Sequence, residues 1–195
     1  MSRPPAHRMP LADTTVELNL RTLARLADVS VAQVSRMMPS LVELGRVERR
    51  EVPPSSQFRL VRENVGAQAI IALAGSRDIA LSRIGAVSPT LPIPPVSIIV
   101  FGSFARGEAV QHSDLDAIVV RRDEVAEEDH AWATAVERWR TEARGITGNR
   151  VENLEFSHDE VRARLASDTT LWREVVRDGV TVHGLSAEEL LEPAT

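Results

Sequence analysis

The stretch from Val96 to Val120, VSIIVFGSFARGEAVQHSDLDAIVV, decides the reading of this chain. Val96, Ile98, Ile99, Val100 and Phe101 are β-branched or aromatic, which suits a buried strand. Gly102-Ser103 ends it. Ten residues separate Ser103 from Asp114-Leu115-Asp116, and the apolar run Ala117-Ile118-Val119-Val120 follows directly. In a strand, residues two apart share a face. Asp114 and Asp116 therefore point one way with Ile118 and Val120, while Leu115 and Ala117 point the other. Neighbouring carboxylates at the edge of an apolar strand repel one another and are costly unless a cation sits between them. Oxygen ligands of this kind suit Mg²⁺, which keeps several waters and completes its shell from substrate phosphates. The Gly-Ser turn supplies the complement: close backbone approach, freed N–H groups and the Ser103 hydroxyl. A phosphate cradle beside a divalent-metal site is the equipment of phosphoryl or nucleotidyl transfer. Asp as a mere turn or cap residue does not account for Asp116, which lies inside the apolar run.

Gly102-Ser103, the spacer, and Asp114-x-Asp116 leading into a hydrophobic strand resemble the minimal nucleotidyltransferases of the DNA polymerase β superfamily. Ala105-Arg106-Gly107-Glu108 and Ser113-Asp114-Leu115-Asp116 also match the wording usual in that family, and the resemblance extends from Val96 to Gly184. It implies a small mixed sheet with helices on one side. It also implies transfer of a nucleoside monophosphate from an NTP to a hydroxyl, with two Mg²⁺ ions (or Mn²⁺) held by three carboxylates. Asp114 and Asp116 would be two of these, with Gly102, Ser103 and Ser113 on the nucleotide. Arg106, the only cation between the two strands, either meets the triphosphate or pairs with Glu108. The family's third carboxylate lies on a strand beside the Asp-x-Asp strand, and Val151–Phe156 reads as that strand. Glu152 shares a face with Leu154 and Phe156, which favours it over Glu155. Most members carry Asp there, so Glu152 is longer by one methylene.

The second informative stretch runs from Leu18 to Val61. Leu20, Leu23, Ala24 and Leu26 give a short amphipathic helix, which Asp28-Val29-Ser30 interrupts. Ser30 is placed to cap a second helix beginning at Val31, with Val31, Val34, Met38, Leu41, Val42 and Leu44 on its apolar side and Gly45 at its end. Pro39 inside that helix removes one backbone bond and is expected to kink or shorten it. Arg46–Val52, a Pro53-Pro54-Ser55-Ser56 turn and Gln57–Val61 read as a β-hairpin. Leu23 to Arg36 resembles the bacterial winged helix-turn-helix regulators. By that resemblance Gln33, Ser35 and Arg36 would meet DNA bases or phosphates, and Arg49, Arg50 and Arg59 would meet phosphates.

The rest bounds the answer. The chain has 195 residues, no Cys and a formal charge of −5, and all 23 of its basic residues are arginine. Disulfides and thiolate metal sites are therefore excluded. Residues 1–85 carry 12 Arg against 8 Asp plus Glu, and residues 86–195 carry 11 against 20, so only the first part suits a broad anionic partner. No apolar run reaches membrane-spanning length and no signal segment opens the chain, so a cytoplasmic protein without membrane contact is expected. The expected class is α+β: a flexible arm (1–15), a winged helix-turn-helix (16–62), a connecting helix (63–85) bent at Gly75-Ser76, a Pro-rich linker (86–97) and a nucleotidyltransferase domain (98–195). Trp132 and Trp139 are expected in the core. His112 is expected in solvent, with no metal role. Ser157 with Glu160 reads as a capping box. Three functions fit: NMP transfer to a protein, RNA or small molecule; a DNA-binding regulator whose second domain senses nucleotide or mediates assembly; or a toxin–antitoxin component. A homodimer would complete a cleft that one small domain leaves half-built.

Overall fold

The computed structural model describes residues 17–109, 113–167 and 169–192. The arm and His112 lie outside them. The chain divides into two compact units between Arg77 and Asp78.

In the first unit, β1 (Leu18–Asn19) leads into α1 (Leu20–Ala27), where the Asn19 side chain accepts from the Thr22 N–H at 2.9 Å. Asp28, at φ +55°, takes the left-handed conformation that stops the helix. Ser30 caps α2 (Val31–Glu43) by accepting from Gln33 N–H at 3.2 Å. The helix runs on through Pro39, so the expected shortening does not occur. Val31 and Leu44, expected on its apolar side, are exposed, one as the first residue of the helix and the other as its C-cap. Gly45, at φ +64°, turns the chain into β2 (Val47–Val52), which pairs antiparallel with β3 (Ser55–Leu60) around Pro53-Pro54. The two-residue β1 adds to the outer side of β3, a strand too short to read from sequence. Leu23, Ala24, Val34, Met38, Val47, Phe58, Leu60 and Ala67 form this unit's core. Ala67 belongs to α3 (Val65–Ala74), which ends at Gly75.

The second unit is a four-stranded sheet in the order β6-β5-β4-β7. β4 (Ser97–Phe101) pairs antiparallel with β5 (Leu115–Arg121) and with β7 (Val180–Gly184). β5 pairs parallel with β6 (Val151–Ser157), and α6 (His130–Thr147) makes the crossover between them. The pleat divides the apolar residues as predicted. Leu115, Ala117 and Val119 face α6 with its buried Trp132 and Trp139, together with Leu81 and Ile84 of α4 (Ser76–Val87). Ile118 and Val120 face Val161 and Leu165 of α7 (His158–Leu165) and Trp172 and Val175 of α8 (Thr170–Asp178). Helices thus cover both faces, not one as the family resemblance implied. The reason is apolar residues on both sides of β4 and β5, which leave no face to water.

Two further expectations change. The Pro-rich stretch 86–97 is not a free linker: Ser88 and Leu91 are buried, and a short 3₁₀ turn spans Ser88–Thr90. The residues of α4 taken as part of a connecting helix belong to the second unit's core, where a Cβ on Gly85 would overlap the Val182 carbonyl. The capping box at Ser157 and Glu160 is present, and Arg121, buried at the far end of β5, reaches Glu160 at 3.4 Å. Among the described residues, no helix is long and apolar enough to cross a membrane.

Candidate active site

Phe101, the last residue of β4, stands opposite Asp116 across the antiparallel ladder. The next residue, Gly102, opens a single helical turn, α5 (Gly102–Arg106). Gly102 has φ +70°, and a Cβ there would lie 2.6 Å from Asp116 Oδ2. The turn and the second aspartate are therefore in contact through a position that only glycine fills easily. Gly107, at φ +71°, ends the turn, and Glu108 N–H donates to the Ser103 carbonyl at 2.8 Å.

Asp114 immediately precedes β5, and Asp116 is its second residue. In the parallel register Asp116 is paired with Glu152, Ile118 with Leu154 and Val120 with Phe156. The three acids predicted together are thus brought to one end and one face of the sheet. Glu155 takes the opposite face, where its Oε2 accepts from Trp132 Nε1 at 2.8 Å. Asp116 is held above its usual carboxylate range by partial burial first, then by Asp114 and by Glu152; Arg106 opposes the shift. Such a group welcomes a cation.

The donors are all carboxylate oxygens, which fits a hard divalent ion such as Mg²⁺. They are not gathered into a ready three-ligand cage: among the described residues no group of three acids or histidines is arranged to hold a metal. One reason is visible, since the Glu152 carboxylate is ion-paired with Arg150. The fit therefore rests on the Asp114–Asp116 pair, while the Glu152 carboxylate is engaged by Arg150.

Arg106 closes the other flank. Its Nε donates to Glu108 Oε2 at 2.8 Å, so that half of the sequence reading is realised. That bond to Glu108 is the main reason the guanidinium holds its proton more tightly than usual; partial burial opposes it, and Asp178 and Glu174 of α8 add to it. The carbonyl of Ser113 accepts from Asn149 Nδ2 at 2.8 Å, and Leu115 N–H donates to the Arg150 carbonyl at 2.8 Å. Asn149 was missed by sequence reasoning. Its signal was the Gly148-Asn149 stop after α6, where Gly148 has φ +75°.

In the first unit Gln33, Ser35 and Arg36 are exposed on α2, and Arg36 Nε donates back to the Ala32 carbonyl at 3.2 Å. The hairpin arginines are matched by acids: Arg49 with Glu51 at 2.6 Å, Arg50 with Glu17 at 3.6 Å and Arg59 with Glu48 at 2.7 Å.

Residues 87–165 match the family model described as a nucleotidyltransferase domain, a span that contains the Gly-Ser turn and all three acids. The match supports a nucleotidyltransferase. Among solved structures, similarity is found to a toxin–antitoxin complex with AMP-PNP, at 19% identity and TM-score 0.39, over 57% of this chain and 78% of that one. A mutant of the toxin–antitoxin pair MntA-HpeT aligns at 16% identity and TM-score 0.39, with the same coverage of 57% and 78%. A protein from Sulfolobus solfataricus assigned as a nucleotidyltransferase aligns at 18% identity and TM-score 0.29, over 61% of this chain and 89% of that one. No curated protein matches the chain.

Proposed function

We propose that the second unit transfers a nucleoside monophosphate from an NTP to a hydroxyl, with Asp114, Asp116 and Glu152 as the catalytic carboxylates. The observation that carries this reading is the pairing of Asp116 with Glu152 across β5 and β6, beside a glycine turn that touches Asp116. Gly102 and Ser103 receive the β- and γ-phosphates, and Ser113 and Arg106 flank the nucleotide. A divalent ion bound by the acids supplies Lewis-acid stabilisation of the charge that develops on the phosphate oxygens. The acceptor hydroxyl gives its proton to one of the carboxylates. Its oxygen forms a bond to the α-phosphorus, the bond from that phosphorus to the bridging oxygen breaks, and pyrophosphate leaves in line.

The test is transfer of α-labelled ATP, GTP, CTP and UTP, with Mg²⁺, into host protein and RNA. Wild type is compared with Asp114→Ala. A labelled species that needs Asp114 is expected, and its size identifies the acceptor. Folded wild-type protein that labels nothing overturns the reading.

The arrangement of α1, α2 and the β2–β3 hairpin supports reading residues 16–62 as a winged helix-turn-helix. DNA contact through Gln33, Ser35, Arg36, Arg49 and Arg50 is the corresponding regulator hypothesis. Phosphates would have to displace Glu51 and Glu17 from the hairpin arginines, so affinity through the hairpin is expected to be low and salt-sensitive. Gel-shift of a random-sequence duplex by wild type and Arg36→Ala tests it; equal binding by both removes the helix from the interface.

A further inference from the structure

Beyond the acids, the outer edge of the sheet carries a second polar feature. A cavity of about 290 Å³ at the start of β6 is lined by Glu137, Arg140, Thr141, Arg144, Arg150 and Val151. Three of the eleven arginines in residues 86–195 gather there, in the half of the chain where acids outnumber bases. Arg140 is partly spent: its Nη1 donates to Glu137 at 2.9 Å and its Nη2 to the Val151 carbonyl at 3.5 Å. Its Nε is buried with no partner among the described residues. Arg144 is exposed and makes no ion pair among the described residues. Arg150 belongs to both places, since it lines the cavity and holds Glu152.

We infer that this cavity is a second anion site, which takes a phosphate carried by the acceptor and is linked through Arg150 to Glu152. Planar guanidiniums grip phosphate oxygens two at a time, and the Thr141 hydroxyl adds a neutral donor. Position says which phosphate. The glycine turn lies at the end of β4, on one flank of β5; the arginine cavity lies at the start of β6, on the other flank. In-line transfer needs the incoming oxygen opposite the leaving pyrophosphate. With pyrophosphate at the turn, the acceptor enters from the β6 side, its phosphate held on the α6 face of the sheet and its hydroxyl passing round the start of β6, by Arg150, to the acids on the opposite face. A phosphate seated there competes with Glu152 for Arg150 and frees that carboxylate to turn toward Asp116. Acceptor binding and completion of the acidic set are then one event. This inference rests on the transferase reading, and the phosphate belongs either to a polynucleotide or to a small phosphorylated molecule.

The experiment uses the full chain as wild type, Arg144→Gln and Arg150→Gln, with two probes: inorganic phosphate, and a labelled single-stranded RNA hexamer with a free 3′ hydroxyl. Binding is measured by calorimetry and anisotropy across a salt series. Arg144→Gln is expected to weaken the bound probe about tenfold, the loss of one charge-assisted contact. For RNA its salt slope also falls by about 0.7. RNA bound far more tightly than inorganic phosphate identifies a polynucleotide source; comparable affinities identify a small one. Binding unchanged in both variants, or absent for both probes, overturns the site. The link is read from Mn²⁺ affinity by the free-ion resonance signal. Wild type should bind Mn²⁺ more tightly once the probe is present, and Arg150→Gln should bind it tightly either way. Wild-type Mn²⁺ affinity that ignores the probe overturns the link. Mn²⁺ binding that ignores Asp114→Ala overturns the transferase reading instead, while Arg144-dependent phosphate binding would uphold the anion site.

Discussion

Gly102 and Asp116 occupy one space: a Cβ on the first would sit 2.6 Å from Oδ2 of the second. Gly102→Ala must therefore move the carboxylate, and it must also hold φ near +70° against steric preference. We expect a stability loss of about 1–2 kcal/mol. Nucleotidyl transfer should fall at least about tenfold, because the displaced group is the one nearest the turn. Denaturant unfolding and the labelling assay report the two effects separately.

Asp116 gives a pH signature. The folded protein keeps the Asp116 proton to higher pH than the unfolded chain does, because burial and two nearby acids disfavour its charge. The folded state thus binds more protons in that window, and stability falls as pH rises from the ordinary Asp value, about 3.9, through the raised one. The loss is complete once the pH exceeds the raised value. Asp116→Asn, without metal, should melt higher than wild type at pH 7 and equal to it under acid conditions. Mg²⁺ should raise the melting temperature of wild type and not of the variant. Transfer should drop by more than about a hundredfold. A variant that melts lower than wild type at pH 7 contradicts the electrostatic account.

Glu152 and Glu155 should separate cleanly. Glu155→Ala leaves the indole N–H of buried Trp132 without its acceptor, which costs about 1–2 kcal/mol and should spare transfer. Glu152→Gln should leave thermal stability nearly unchanged, since its ion pair with Arg150 is solvent-exposed, and should abolish most transfer. The reverse pattern would move the third carboxylate to the opposite face.

Asn149 is a positioning residue for the segment ahead of β5. Asn149→Ala removes the bond to the Ser113 carbonyl, at a cost of about 0.5–1.5 kcal/mol. The rate should fall through a looser Asp114, and Asn149→Asp, which cannot donate there, should behave like Ala. Metal affinity measured with Mn²⁺ distinguishes this from simple destabilisation, which would leave the affinity of the folded fraction intact.

The helix caps offer a control far from the chemistry. Ser30→Ala should cost about 1 kcal/mol through loss of the bond from Gln33 N–H, with no change in transfer.

What could be read from the sequence was what repeats locally. The alternation in residues 115–120 assigned each side chain of β5 to a face, and the same parity put Glu152 and Glu155 on opposite faces of β6. Ser30, Ser157 and Gly45 marked helix ends because their side chains or backbone act within four residues. What stayed hidden depends on distant chain. Two residues of β1 are a strand only because β3 lies beside them. Ser88 and Leu91 sit in a Pro-rich stretch that looks like linker, and it is the packing of the second unit that buries them. The ion pair between Arg150 and Glu152 and the hydrogen bond from Asn149 to Ser113 bring together groups whose side-chain directions no pattern in the sequence states.

The pleat of β5 has one more consequence. Leu115 and Ala117 are fully buried against α6, and the acids flank them in alternation. A slip of that strand by a single residue would press Asp116 into an apolar core and expose its neighbours. Folding thereby proofreads the site: a chain that settles in the wrong frame is too unstable to persist, so the protein that survives is the one with its carboxylates turned outward.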